Sequence, residues 1–310
     1  MGAPSGVLVV DKPRGPTSHD VVARVRRALR TKAVGHAGTL DPMATGVLVV
    51  AVGEATKLVL YLTAADKAYE ATIALGVATA TLDADGDVTA RAPVPDDWPA
   101  RLDAALAAER ARDAQVPPAF SAIQTNGVRA YDLARRGEAV DLAPRPVRVV
   151  DLTALAARRD PPAVDLAITT AKGYYVRALA RDLAAALGTV GHLTALRRTR
   201  SGAFTVAEAA PLDDGLAARL VPLPDAARRA LPIARLTPAG VIDARAGRPV
   251  AAADLAVEGA AALVAPSEHG AEEEGARPYA WLDEAGDVVA VGAVASDGRG
   301  RVLRGFVPGA

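Results

Sequence analysis

The stretch Gly35–Lys57, GHAGTLDPMATGVLVVAVGEATK, constrains this chain more than any other. A polar loop punctuated by Gly35 and Gly38 presents His36 and Asp41, then runs straight into the apolar segment Val47–Val52. A short run that is apolar at every position reads as a buried strand. Gly6–Val10 (GVLVV) is a second such run. A loop anchored to a buried strand can hold an acid and an imidazole in fixed geometry.

The rest of the chain mixes strand and helix patterns. Lys12–Pro16 breaks the first strand, and Thr17-Ser18 supplies a helix N-cap with Asp20 in the first turn. Val21, Val22, Val25 and Leu29 recur at helical spacing, which leaves Arg24, Arg27 and Arg30 toward solvent. Glu54–Leu62 is expected to be one helix carrying Lys57. Lys67–Val77 alternates as a strand, with Tyr69, Ala71, Ile73 and Leu75 on one face. Asp83, Asp85 and Asp87 suggest a calcium loop, but the glycine and the final glutamate that such a loop needs are misplaced, so the segment reads as a polar turn. Helices are expected over Trp98–Arg112, Arg129–Arg136 and up to Leu187, and paired strands over Val147–Leu155 and Ala163–Thr170. His192–Arg200 reads only as a short basic segment. This is not a regular βαβ alternation, so the expected class is α+β. Prolines at 222, 224, 232 and 238 mark a boundary between a first domain, 1–230, and a small β-rich domain, 231–310. Short strands are expected there at Ala261–Ala265, Ala280–Leu282, Val288–Val291 and Val302–Phe306, with a loop over Glu268–Gly275.

With no cysteine among 310 residues, disulfides, thiolate nucleophiles and sulfur-ligated metals are excluded. Four histidines without paired spacing argue against a metal site. No signal peptide and no membrane-spanning apolar run can be read, so the expected location is the cytoplasm. Net charge is zero, but its distribution is uneven: residues 1–60 carry +4, 172–200 carry +5 and 241–290 carry −7. Two basic clusters fit a phosphate-backbone footprint.

Asp41-Pro42 alone reads as a turn or helix cap. Within this loop, a carboxylate kept ionised beside a cation could attack an electrophilic carbon. Four motifs give the loop a context. Gly35, His36, Gly38, Leu40, Asp41, Pro42, Ala44, Gly46 and Leu48 precede Gly53, Ala55, Thr56 and Lys57. Lys172, Gly173, Tyr175, Val176, Arg177, Leu179, Asp182 and Leu183 form a second set, Pro117, Pro118, Phe120, Ser121, Ala122 and Gln124 a third. Gly191, Leu196, Arg197, Arg198, Gly202 and Phe204 form the fourth. Together they resemble the TruB-type tRNA pseudouridine-55 synthases, from about Gly6 to Phe204. Ala37 and Tyr174 stand where that family commonly has threonine.

The resemblance implies a mixed, largely antiparallel sheet flanked by helices, with a PUA-like C-terminal module. It implies isomerisation of uridine 55 in the T-loop of tRNA by a monomeric, stand-alone enzyme that needs no cofactor, metal or protein partner. It assigns Asp41 as the catalytic carboxylate, Arg177 as its cation and Tyr69 as the ring that stacks on uracil. Substrate contacts fall to His36, Lys57, Tyr175, Leu196, Arg197 and Arg198. The residues alone leave open a guide-RNA-dependent relative or a non-catalytic RNA-binding protein.

Overall fold

The computed structural model describes residues 4–125, 127–213, 215–258 and 277–307. In chain order the first part contains β1 (Gly6–Lys12), α1 (Ser18–Ala28), β2 (Val34–His36), β3 (Thr45–Val52), α2 (Val59–Ala64) and β4 (Lys67–Leu75). A small hairpin, β5 (Val77–Thr79) and β6 (Val88–Arg91), precedes α3 (Trp98–Arg110) and α4 (Ala130–Arg135). Then come β7 (Val149–Arg159), β8 (Pro162–Thr170), α5 (Val176–Ala186), β9 (Gly191–Ser201), β10 (Ala210–Pro211) and α6 (Leu223–Ala230).

The large sheet runs in the order β7-β8-β4-β9-β3-β1-β10, with three short strands off this path. Its long neighbours are antiparallel, while β9–β3 and β1–β10 are parallel. The class is therefore α+β, as expected. The continuous apolar runs follow from burial on both faces. Leu8, Val10, Leu48 and Val50 face a core shared with α1, α3 and α5. Val7, Val9, Val47 and Val49 face a second core shared with Leu58, Leu62 and α6. Each such side chain contributes about 1.5–3 kcal/mol by leaving water.

Helix α1 starts as expected: the Thr17 hydroxyl accepts from the Asp20 N–H, and the Asp20 carboxylate accepts from the Thr17 N–H. The segment after Gly53 departs from expectation. It is a 3-10 turn over Gly53–Leu58 before α2 begins, so Lys57 sits on the tighter turn. Expectation also missed β9, an eleven-residue strand at the centre of the sheet. Both Arg197 and Arg198 are expected to contact substrate, but Arg197 pairs with Asp11 and Arg198 is buried.

A second, five-stranded sheet uses Ile233–Leu236, Leu255–Val257, Pro278–Leu282, Val288–Val294 and Gly300–Gly305. Two of these contain expected strands, and Gly300–Gly305 overlaps the expected Val302–Phe306. The expected strand Ala261–Ala265 and loop Glu268–Gly275 lie outside the described residues. Ala280, Leu282, Val291 and Phe306 join the second core with Val7 and Val49. The two sheets thus share apolar packing.

Candidate active site

Strands β2 and β3 form a hairpin whose tip is the motif loop, residues 38–44. Strand β3 meets β9 only through Thr45 and Gly46, so the large sheet forks beside this tip. Gly46 has φ +97, and a Cβ there would lie 2.2 Å from the Arg198 carbonyl oxygen. Only glycine lets β3 and β9 approach so closely.

Buried groups hold the loop from below. Arg198, 1% exposed, donates to the carbonyls of Gly38 (3.1 Å), Thr39 (3.3 Å) and Val47 (2.6 Å). Lys12, fully buried, donates to the carbonyls of Pro13 (2.9 Å), Pro42 (3.3 Å) and Ala44 (2.7 Å). Burial lowers the Lys12 pKa to about 8, against the opposing pull of Asp41. The Ser18 hydroxyl donates to the Leu40 carbonyl and accepts from the Leu40 N–H. The Gly15 N–H donates to the Pro42 carbonyl at 2.8 Å. The backbone around Asp41 is thus pinned on both sides.

Arg177, in the first turn of α5, faces Asp41. Its Nε lies 2.9 Å from Asp41 Oδ2 and its Nη2 donates to Oδ1 at 3.2 Å. This is a two-point fork that fixes the carboxylate plane as well as its position. Two of the three remaining guanidinium hydrogens go to the carbonyls of Thr81 and Phe120, each at 2.9 Å. The Arg177 side chain is 8% exposed, whereas that of Asp41 is 33% exposed. The carboxylate therefore presents an open edge above a buried cation.

Asp83 was read from sequence as part of a polar turn. It is buried, and its Oδ2 lies 3.7 Å from Arg177 Nε. The Thr81 hydroxyl and the Asp85 N–H donate to its other oxygen. Arg177 thus answers to two carboxylates, one reachable from solvent and one enclosed. No motif spacing betrays this, because only the β5–β6 hairpin brings residue 83 to the site.

Tyr69 on β4 is half-buried and packs on the same core as Leu196. It stands opposite Arg198 of β9 in the strand register. Tyr175 is half-buried at the start of α5, and burial raises its phenol pKa. His36 sits edge-on to His19, ring centres 5.3 Å apart, with its Nδ1 buried and without a hydrogen-bond partner. Burial, then His19 and Arg198, lower its pKa, so its ring is neutral at pH 7. Arg197 forks onto Asp11 at 3.0 and 2.8 Å and keeps a partly exposed side chain.

Two expected substrate contacts are placed elsewhere. Arg198 has no free surface, so its role here is to build the loop rather than to meet a phosphate. Lys57 follows the far end of β3, about 25 Å along eight residues of strand from the tip. Its ammonium binds Glu54 (2.6 Å) and the Gly305 carbonyl (2.8 Å) and lies over the Phe306 ring. It braces the C-terminal sheet. Among the described residues, no group of three histidine, cysteine or acidic side chains is arranged to hold a metal ion, and no helix is long and apolar enough to cross a membrane.

Comparison with known proteins places the chain in a family. Residues 26–176 match the TruB family pseudouridylate synthase N-terminal domain, and residues 177–223 match the tRNA pseudouridylate synthase B C-terminal domain. The fold is that of a pseudouridylate synthase. The tRNA pseudouridine synthase B of Mycobacterium sp. (strain KMS) is 50% identical over 270 residues, covering 86% of this chain and 90% of that protein. That of Thermobifida fusca is 52% identical over 240 residues, covering 75% and 82%. A crystal structure of a Cbf5-Nop10-Gar1 complex matches with TM-score 0.71 at 25% identity, covering 97% of this chain and 84% of that one. This chain belongs to the TruB family.

Proposed function

We propose that this chain, a tRNA pseudouridine synthase, acts as a stand-alone, monomeric, cytoplasmic enzyme on uridine 55 in the T-loop. Residues 1–230 carry the chemistry and 231–310 form a PUA-like support. The target base is everted from the loop, at a cost of a few kcal/mol that stacking and phosphate contacts offset. Tyr69 stacks on the uracil, and Tyr175 and Leu196 close the pocket around it. His36, neutral and at the loop edge, meets the opened RNA, and Arg197 meets its backbone.

Asp41 assists cleavage of the N1–C1′ bond, either by bonding to C1′ as N1 leaves with the electron pair and being displaced when C5 attacks C1′, or by adding to the uracil ring and being expelled once C5 has joined C1′. The freed uracil turns in the pocket and rejoins through C5. The C5 proton leaves to Tyr69 or a water, and N1 ends protonated. Atoms and electrons balance within the substrate, so the isomerisation needs no redox cofactor or energy source. Arg177 holds the Asp41 carboxylate aimed, and Asp83 faces the same guanidinium from the buried side.

The observation that carries this reading is the Asp41–Arg177 fork, buried on the cationic side and open on the carboxylate side. The test is incubation of the purified protein with an unmodified tRNA transcript, followed by mapping of pseudouridine. Product at position 55 is expected; product only at another uridine would refute the site assignment. Asp41→Asn should lower the rate by roughly 10³-fold or more while tRNA binding persists. Survival of activity in that variant would remove Asp41 from the mechanism.

A further inference from the structure

Gln115 is 1% exposed and lies outside every group assigned above. Its side-chain amide meets the backbone of Tyr175 twice. The Oε1 accepts from the Tyr175 N–H at 2.9 Å, and the Nε2 donates to the Tyr175 carbonyl at 3.2 Å. One primary amide thereby copies the pairing a neighbouring strand would give. Tyr175 needs such a partner. It is extended, at φ −107 and ψ 109, as the N-cap of α5, and no side chain caps that helix end. Its N–H would otherwise be an orphan in a half-buried position.

The consequence reaches the chemistry. Tyr175 is two residues before Arg177, and the Tyr175 carbonyl also accepts from the Leu179 N–H, so the clamp sets where α5 begins. The chain after Gln115 contacts the same helix twice more. The Val116 carbonyl accepts from Arg181 Nη2 and the Phe120 carbonyl from Arg177 Nη2, each at 2.9 Å. Gln115 itself is fixed by backbone pairing with Arg145.

We infer that Gln115 is a positioning residue for the reaction: it holds the Tyr175 ring and, through the start of α5, the Arg177 fork in register with Asp41. This rests on the proposed function. A buried amide that served only stability would affect folding and tRNA affinity as much as rate. A positioning residue affects the chemical step alone, because misplacement near 1 Å costs on the order of 10²-fold.

The experiment measures single-turnover pseudouridine formation at saturating enzyme, tRNA Kd and Tm for the parent, Gln115→Leu and Gln115→Glu. Leucine keeps the volume and removes both bonds. Glutamate keeps the shape and the acceptor but loses the amide donor. Gln115→Leu should lose roughly 10- to 100-fold in rate with Kd within about twofold, and Gln115→Glu should fall between it and the parent. A rate within about twofold of the parent in Gln115→Leu overturns the inference. If Gln115→Leu loses Tm as well as rate, Gln115→Glu decides. A slowed, folded Glu variant supports positioning, and a Glu variant as fast as the parent overturns it. A parent that forms no pseudouridine on tRNA would instead sink the function on which the inference rests.

Discussion

At the Asp41 end of the large sheet, Lys12, Lys67, Arg177 and Arg198 are all nearly buried. Each donates to two or more partners, most of them backbone carbonyls. In and around the C-terminal sheet, charges pair one to one in water: Arg235 with Glu258, Arg248 with Asp243, Arg299 with Asp297. Pairs of the second kind contribute about 0–1 kcal/mol, because water screens them and ordering two long side chains costs entropy. Cations of the first kind cannot be removed without stranding buried acceptors. The same residue types thus build a rigid site in one region and a soluble surface in the other.

Four substitutions test the contrast. Arg177→Lys keeps the charge but cannot fork onto Asp41, so pseudouridine formation should fall roughly 10²-fold with binding kept. A rate close to the parent would mean that charge alone suffices. Arg198→Met strands three loop carbonyls and should cost on the order of 2–4 kcal/mol in urea unfolding; a loss below about 1 kcal/mol would show that the loop stands without it.

The third test uses pH. Lys12 and Lys67 have pKa values of about 8 in the fold, lowered chiefly by burial from 10.5. Between pH 8 and 10 the unfolded chain holds more of their protons, so their contribution to stability rises with pH across that window. Lys12→Met should flatten the rise in urea midpoint measured from pH 7.5 to 9.5. An unchanged slope would contradict burial of the charged ammonium. Smallest of all, Arg248→Ala should change stability by less than about 0.5 kcal/mol, and a larger loss in urea unfolding would erase the distinction between the two regions.

Much of this contrast was legible in the chain, but not all. Gly6–Val10 and Val47–Val52 announced buried strands because their apolar sequence is unbroken, and the structure buries both their faces. The Thr17 cap was legible because its partner, Asp20, is three residues away. Arg177 was assigned to Asp41 by family resemblance, and the fork between them spans 136 residues. Asp83 looked like any acid in a turn, and Gln115 like any residue before a proline-rich segment. Arg198 stood beside Arg197 as an expected substrate contact, since nothing local says which of two adjacent arginines turns inward.

The amino-acid order alone settled the local periodicities, the caps, the glycine positions and hence the α+β class. Those depend on neighbours within one or two turns of chain. Tertiary structure alone decided which carboxylate shares Arg177, which arginine underpins the loop and that Lys57 braces the C-terminal sheet. Such partnerships depend on how strands distant in sequence are laid side by side, and a charged side chain carries no local mark of the partner it will meet.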